Sequence, residues 1–137
     1  MITPPSERKL FLIDAYALIF RAYYAFIKNP RINSKGLNTS AIFGFTNALL
    51  DVIRNEVPSH LAVVFDAPGG SFRNETYSEY KANRDETPED IERSVPWILE
   101  VLEGLNVPAI SKVGYEADDV IGFLAKKAAA EGFDVYM

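Results

Sequence analysis

Short apolar runs alternate with helix-spaced apolar positions along this chain. The runs "KLFLIDA" and "HLAVVFDA" are of strand length and almost continuously apolar, and each closes on an aspartate, Asp14 and Asp66. Between them, "TSAIFGFTNALLDVIRNEVP" places Ile42, Phe45, Leu49, Val52 and Ile53 on one helical face. Thr39 or Ser40 is available there as the cap and Pro58 as the stop. Strand, helix and strand in this order predict a right-handed crossover between parallel strands. A second long helix opens at "TPEDIERSVPWILEVLEGLN", with Thr87 as cap, Pro88 at the first helical position and Glu89 and Asp90 in the first turn. Pro96 is expected to kink or divide it. "VPAISKV" then reads as a third strand, "YEADDVIGFLAKKAAAEG" as a third amphipathic helix, and "FDVYM" as a fourth strand. The expected fold class is α/β, a three-layer α/β/α sandwich around a mainly parallel twisted sheet.

Composition narrows the chemistry. With 137 residues, 48% apolar and 24% charged, the chain suits one modest domain. It has no cysteine and a lone histidine, His60, which removes disulfides and thiolate sites and leaves little for a zinc centre or a histidine-dependent triad. A metal here would be held by oxygen. No stretch approaches the length of an apolar membrane span and no export signal is visible, so no membrane partner and a cytoplasmic location are expected. The formal charge of −5 argues against diffuse attraction to nucleic acid but leaves room for a local basic patch.

In parallel α/β sheets, ligands bind beyond the carboxyl ends of the strands. Asp14 and Asp66 close the first two strands there, and Glu116, Asp118 and Asp119 follow the third. Acids at a helix entrance often serve only the macrodipole, and one strand-end aspartate is often only a turn former. Three strand ends on one edge are harder to explain that way. Two carboxylates about 4 Å apart repel by roughly 4 kcal/mol at an effective dielectric near 20, so converging acids must be protonated or share a cation. Hard oxygen donors in this number suit Mg²⁺ or Mn²⁺ and, through them, phosphate-ester chemistry.

A second stretch, "SFRNETYSEYKANRDETPED", interleaves Arg73, Lys81 and Arg84 with Tyr77 and Tyr80 and lacks an apolar stripe. Cations pair with phosphates and exposed aromatics stack on unpaired bases. Its neighbours Glu75, Glu79, Asp85 and Glu86 make a solvated loop the competing reading. In "FRAYYAF", Arg21 follows the Asp14 turn, while most of Tyr23, Tyr24 and Phe26 are expected in the core.

The blocks "LIDAYALIFRAYYAF", "VVFDA", "SFRNETYSEYKANRDETPED" and "GYEADDVIGFLAKKA" together resemble, in order and spacing, the 5′-nuclease domain of bacterial DNA polymerase I and the wider flap endonuclease superfamily. The resemblance implies a PIN-like fold and two divalent ions, Mg²⁺ or Mn²⁺, in a complete domain. It also implies hydrolysis of DNA at 5′ ends, flaps, nicks or RNA primers, as in primer removal and nick translation. By position, Asp14, Asp66, Glu116 and Asp118 look like ligands of the first metal, with Asp119 in the same centre. Lys81 and Arg84 resemble the basic pair of a helical arch over about residues 71–94, with Tyr80 beside them. Arg21, Arg73 and Tyr77 resemble DNA contacts.

The resemblance further implies that 1–137 is an N-terminal portion. A later aspartate motif supplying second-metal ligands, a helix-hairpin-helix region and the polymerase domains in cis would lie outside it, and the piece alone is expected to be inactive. A non-catalytic DNA-binding module using the same surface is the alternative. A haloacid-dehalogenase-type hydrolase would need a second aspartate two residues after Asp14, where the chain has Tyr16.

Overall fold

In a computed structural model that describes residues 8–66 and 88–137, the apolar runs become strands joined only in parallel. The described elements are β1 (Lys9–Asp14), α1 (Ala15–Ala25), α2 (Ser40–Glu56), β2 (His60–Val64), α3 (Glu89–Gly104), β3 (Ala109–Ile110), α4 (Ala117–Ala130) and β4 (Asp134–Tyr136). The sheet order is β3-β2-β1-β4. Register sets Asp14 level with Val64, and Val64 level with Ile110. The α/β class and parallel sheet expected from the apolar pattern are therefore present. Among the described residues, no helix is long and apolar enough to cross a membrane.

The described residues divide into two compact units. The first, residues 8–15, 58–66 and 107–137, contains the sheet and α4. Ala62, Val63, Val64 and Phe65 are all buried, as required of a strand covered on both faces. One face is formed by Leu12, Ala62 and Val64 against Ala117, Val120 and Ile121 of α4. Leu10, Ile110, Leu124, Ala125 and Val135 extend this core at partial burial. The α4 positions 117, 120, 121 and 124 follow helical spacing, so a single stripe meets the sheet. On the rim, Phe11 of β1 stacks on Tyr136 of β4, with ring centroids 4.7 Å apart.

The second unit, Tyr16–Val57 with residues 88–106, contains α2, α3 and nearly all of α1. Phe45 and Leu49 of α2 and Ile91, Ile98 and Leu102 of α3 are fully buried. The N-cap of α2 falls on Thr39, one of the two residues expected, but its side chain does not cap. The Thr39 hydroxyl donates instead to the Arg31 carbonyl. The Asn38 side-chain oxygen accepts from the Ser40 N–H, while Asn38 Nδ2 donates to Asp90 at 3.3 Å, tying this entrance to the first turn of α3. Arg31 lies over the rings of both Phe26 and Phe43. Tyr24 is exposed, whereas Tyr23 and Phe26 are half-buried. Burial, with Asp90 and Tyr24 adding, raises the Tyr23 phenol above its ordinary value.

Three sequence expectations need correction. Of the two outcomes expected at Pro96, a kink or a division, division does not occur, since α3 continues from Glu89 to Gly104. Buried Ile91 and Ser94 before it and Ile98 and Leu102 after it anchor both halves, and tertiary burial outweighs the lost backbone bond. Pro88 stands at the N-cap rather than at the first helical position. The third strand is also reduced to Ala109 and Ile110.

Helices α1 and α2 approach closely at Gly44, where an added Cβ would lie 2.7 Å from Ala22 Cβ. Substitution Gly44→Ala should therefore destabilise the protein despite a helix-propensity gain of about 1 kcal/mol, since overpacking costs roughly 1–3 kcal/mol. Urea denaturation checks this, and a raised midpoint would show that the two helices separate freely.

Candidate functional site

Parallel pairing directs every strand's carboxyl end to the same edge, and the predicted acids follow it. Asp14 is the last residue of β1 and is half-buried. It has the same strand parity as Leu10 and Leu12, which pack toward α4. Asp66 lies two residues past β2 and is exposed. Its approach is set by Phe65, whose N–H donates to the Ile110 carbonyl at 2.7 Å, and by the Val63 N–H, which donates to the Pro108 carbonyl at 2.9 Å. Glu116 is the N-cap residue of α4, with extended backbone and no side-chain cap bond. Asp118 and Asp119 occupy the first turn of the helix.

The missing cap is supplied from elsewhere in the chain. Asp66 Oδ1 accepts the Ala117 backbone N–H at 2.7 Å, linking the exit of β2 to the entrance of α4 across 51 residues. One helix-end donor that would lack an intrahelical partner is thereby satisfied by a carboxylate placed where the macrodipole favours it. The Asp119 and Val120 N–H groups both donate to the Glu116 carbonyl, closing the first turn.

All five acids lie within the sheet-bearing unit, and as oxygen donors they fit a hard divalent cation rather than a soft one. Among the described residues, however, no three His, Asp or Glu side chains are arranged as a metal-holding group. The edge therefore collects donors without forming a closed cage of three. His60 opens β2, at the opposite end of the strand from Asp66.

The basic and aromatic candidates fall elsewhere. Arg21 is exposed on α1 in the second unit. Arg73, Tyr77, Tyr80, Lys81 and Arg84 lie outside the described residues. Of the expected arch, only residues 88–94 are described, and 89–94 open α3. Sequence reading missed Lys112 and Tyr115, in the loop between β3 and α4. Lys112 Nζ stands 5.0 Å from the Tyr115 ring centroid. A cation and an aromatic flanking Gly114 just before "EADD" were the available signal.

Residues 9–137 match the profile of the 5′-3′ exonuclease N-terminal, resolvase-like domain. The chain belongs to this family. It is 42% identical over 129 residues to the DNA polymerase I of Synechocystis, covering 92% of this chain and 13% of that protein. It is 40% identical over 131 residues to the DNA polymerase I of Bacillus subtilis, covering 95% of this chain and 14% of the relative. The chain thus spans only a small part of these polymerases. Its fold is similar to that of the bacteriophage T5 D15 protein co-crystallised with metal ions, with a TM-score of 0.57 at 21% identity, covering 93% of this chain and 46% of the other. A T5 flap endonuclease in a pseudo-enzyme–product complex with DNA and metal ions gives a TM-score of 0.55 at 19% identity, covering 93% and 47%.

Removing the Asp66 acceptor should uncap α4. Asp66→Ala in the full-length protein is expected to cost about 1 kcal/mol of domain stability, whereas Asp66→Asn retains an oxygen acceptor and should cost less than half as much. Denaturant titration of both variants tests this, and equal losses would assign the effect to charge rather than to the bond.

Proposed function

We propose that this chain is the N-terminal part of a metal-dependent 5′-3′ exonuclease and flap endonuclease domain of a DNA polymerase I, acting on phosphodiesters at 5′ ends and flaps. The observation that carries the reading is that Asp14 closes β1, Asp66 follows β2 and Glu116, Asp118 and Asp119 open α4, at the carboxyl-end edge of one parallel sheet in a member of this nuclease family. Asp14, Asp66, Glu116 and Asp118 would hold Mg²⁺ or Mn²⁺, with Asp119 adding negative charge, and the complete domain would take two ions. Bound ions of this kind lower the pKa of water and neutralise charge on the transferring phosphoryl group.

The chain's other residues have separate tasks in this scheme. Arg21 and Arg73 pair with backbone phosphates and fix register, while Tyr77 and Tyr80 offer stacking surface to unpaired bases. Lys81 and Arg84 place donors where charge develops on the scissile phosphate. The substrate would be DNA carrying a 5′ flap, a nick or an RNA primer, met during replication and repair in the bacterial cytoplasm, with the rest of the polymerase in cis. Incubating the full-length protein with 5′-flap DNA and Mg²⁺ tests this reading directly. Flap binding without cleavage would favour a DNA-binding module instead.

Two substitutions resolve the roles. Asp66→Asn in the full-length protein should weaken Mn²⁺ binding at least about tenfold, because losing one carboxylate charge near a divalent ion costs more than 1.4 kcal/mol at an effective dielectric near 20. Calorimetric titration with Mn²⁺ reads it, and unchanged affinity would reduce Asp66 to its capping role. Lys81→Ala should lower the single-turnover cleavage rate far more than flap affinity, since a donor aimed at developing charge acts mainly in the transition state. Equal losses would make Lys81 an ordinary phosphate contact.

A further inference from the structure

The loop between β3 and α4 leads directly into Glu116. Its turn is closed by the Tyr115 N–H donating to the Lys112 carbonyl at 3.0 Å, and Gly114 takes the positive φ of 87° that this reversal requires. Val113, at its tip, is 85% exposed, so the turn projects into solvent instead of docking on the core. Lys112 and Tyr115 flank that tip, both exposed, with the ammonium 5.0 Å from the ring centroid.

Position makes this pair informative. The other described cations of the sheet-bearing unit are Arg8 and Lys9, at the amino end of β1, and Lys126 and Lys127, late in α4. Nine residues of helix rise separate Lys126 from Ala117, about 13 Å. Among the described residues of this unit, Lys112 is thus the one cation in the loops at the strands' carboxyl ends. A nucleic-acid backbone approaching carboxylates meets repulsion, and a cation beside them offsets it for the neighbouring phosphate. The adjoining ring presents a face on which a base can stack.

The geometry points to Lys112 and Tyr115 as a nucleotide-positioning subsite, Lys112 pairing with a backbone phosphate and Tyr115 stacking on an adjacent base of the DNA strand brought to the acids. This rests on the nuclease reading above and assigns that site a further contact, in addition to those proposed for Arg73, Tyr77, Tyr80, Lys81 and Arg84. Both residues act in binding and orientation, while proton and phosphoryl transfer are left to other groups. A plain turn brace would instead be indifferent to DNA and to salt.

The test uses the full-length protein and a fluorescent 5′-flap DNA, with Ca²⁺ replacing Mg²⁺ during binding to prevent cleavage. Lys112→Ala should lower the magnitude of the log-affinity against log-salt slope by about 0.7–0.9, the loss of one phosphate contact. Lys112→Glu should weaken binding further. Tyr115→Ala should weaken binding roughly 5- to 150-fold, while Tyr115→Phe stays within about twofold of the parent. With Mg²⁺, KM should rise in Lys112→Ala and Tyr115→Ala with kcat little changed, and Mn²⁺ affinity should match the parent. An unchanged salt slope and KM in Lys112→Ala, with the parent cleaving normally, would overturn the subsite and leave the nuclease reading intact. Altered Mn²⁺ affinity in Tyr115→Ala with normal salt dependence would make the pair a brace for Glu116. A parent protein unable to cleave the flap would remove the nuclease reading, and the subsite with it.

Discussion

The bond from the Ala117 N–H to Asp66 Oδ1 joins the two parts of the edge that no local rule brings together. Parallel strands can deliver their carboxyl ends to one side, but they do not determine how the loops beyond them settle. Here a carboxylate past β2 reaches the first amide of α4, where the N-terminal dipole makes negative charge favourable. The same dipole eases the crowding of Glu116, Asp118 and Asp119 around that entrance. Capping and the proposed ion binding therefore draw on the same residues. A carboxylate has two oxygens, so Oδ1 can receive the amide while its partner oxygen remains chemically available to a cation.

That dual use explains why the acids alone could not reveal the site's construction. Asp14, Asp66 and the "EADD" segment were legible as a set because continuous apolar runs mark buried strands and parallel topology puts their ends together. The particular partner of Asp66 was not legible. It lies 51 residues away, beyond the reach of any local capping rule. Nor does shared position on an edge guarantee closure, since no three acids among the described residues form a metal-holding group. The pattern reports where donors gather, while their final spacing depends on side-chain torsions and on charges that periodicity does not encode.

The fold's departures from expectation have the same origin. Local chemistry assigned the cap of α2 to Thr39 or Ser40, and Thr39 holds the position, but the bond at this entrance comes from Asn38, whose amide serves the Ser40 N–H and Asp90 together. Local chemistry made Pro96 a kink or a break, and four buried positions on α3 keep the helix continuous through it. The strand predicted from "VPAISKV" shortens to two residues, and its continuation turns at Gly114 to enter α4. At the α2 entrance the bond to Asp90 adds a partner remote in sequence, and at Pro96 tertiary burial outweighs an interior-proline penalty of about 3 kcal/mol.

The division into two units places a further constraint on how the acids are held. The sheet-bearing unit is assembled from three separated stretches, residues 8–15, 58–66 and 107–137, each contributing acids to the same edge. Its stability must therefore come from non-local pairings, β1 with β2 and β4, and β2 with β3, rather than from contiguous chain. Apolar burial of Leu12, Ala62 and Val64 under α4 supports those pairings a short distance from the charges. Carboxylates that repel one another can be kept at a sheet edge only if the strands beneath them cannot separate. The uninterrupted apolar character of "LFLI" and "LAVVF" supplies that rigidity, so the residues that look least chemical in this sequence are the ones on which the acidic edge depends.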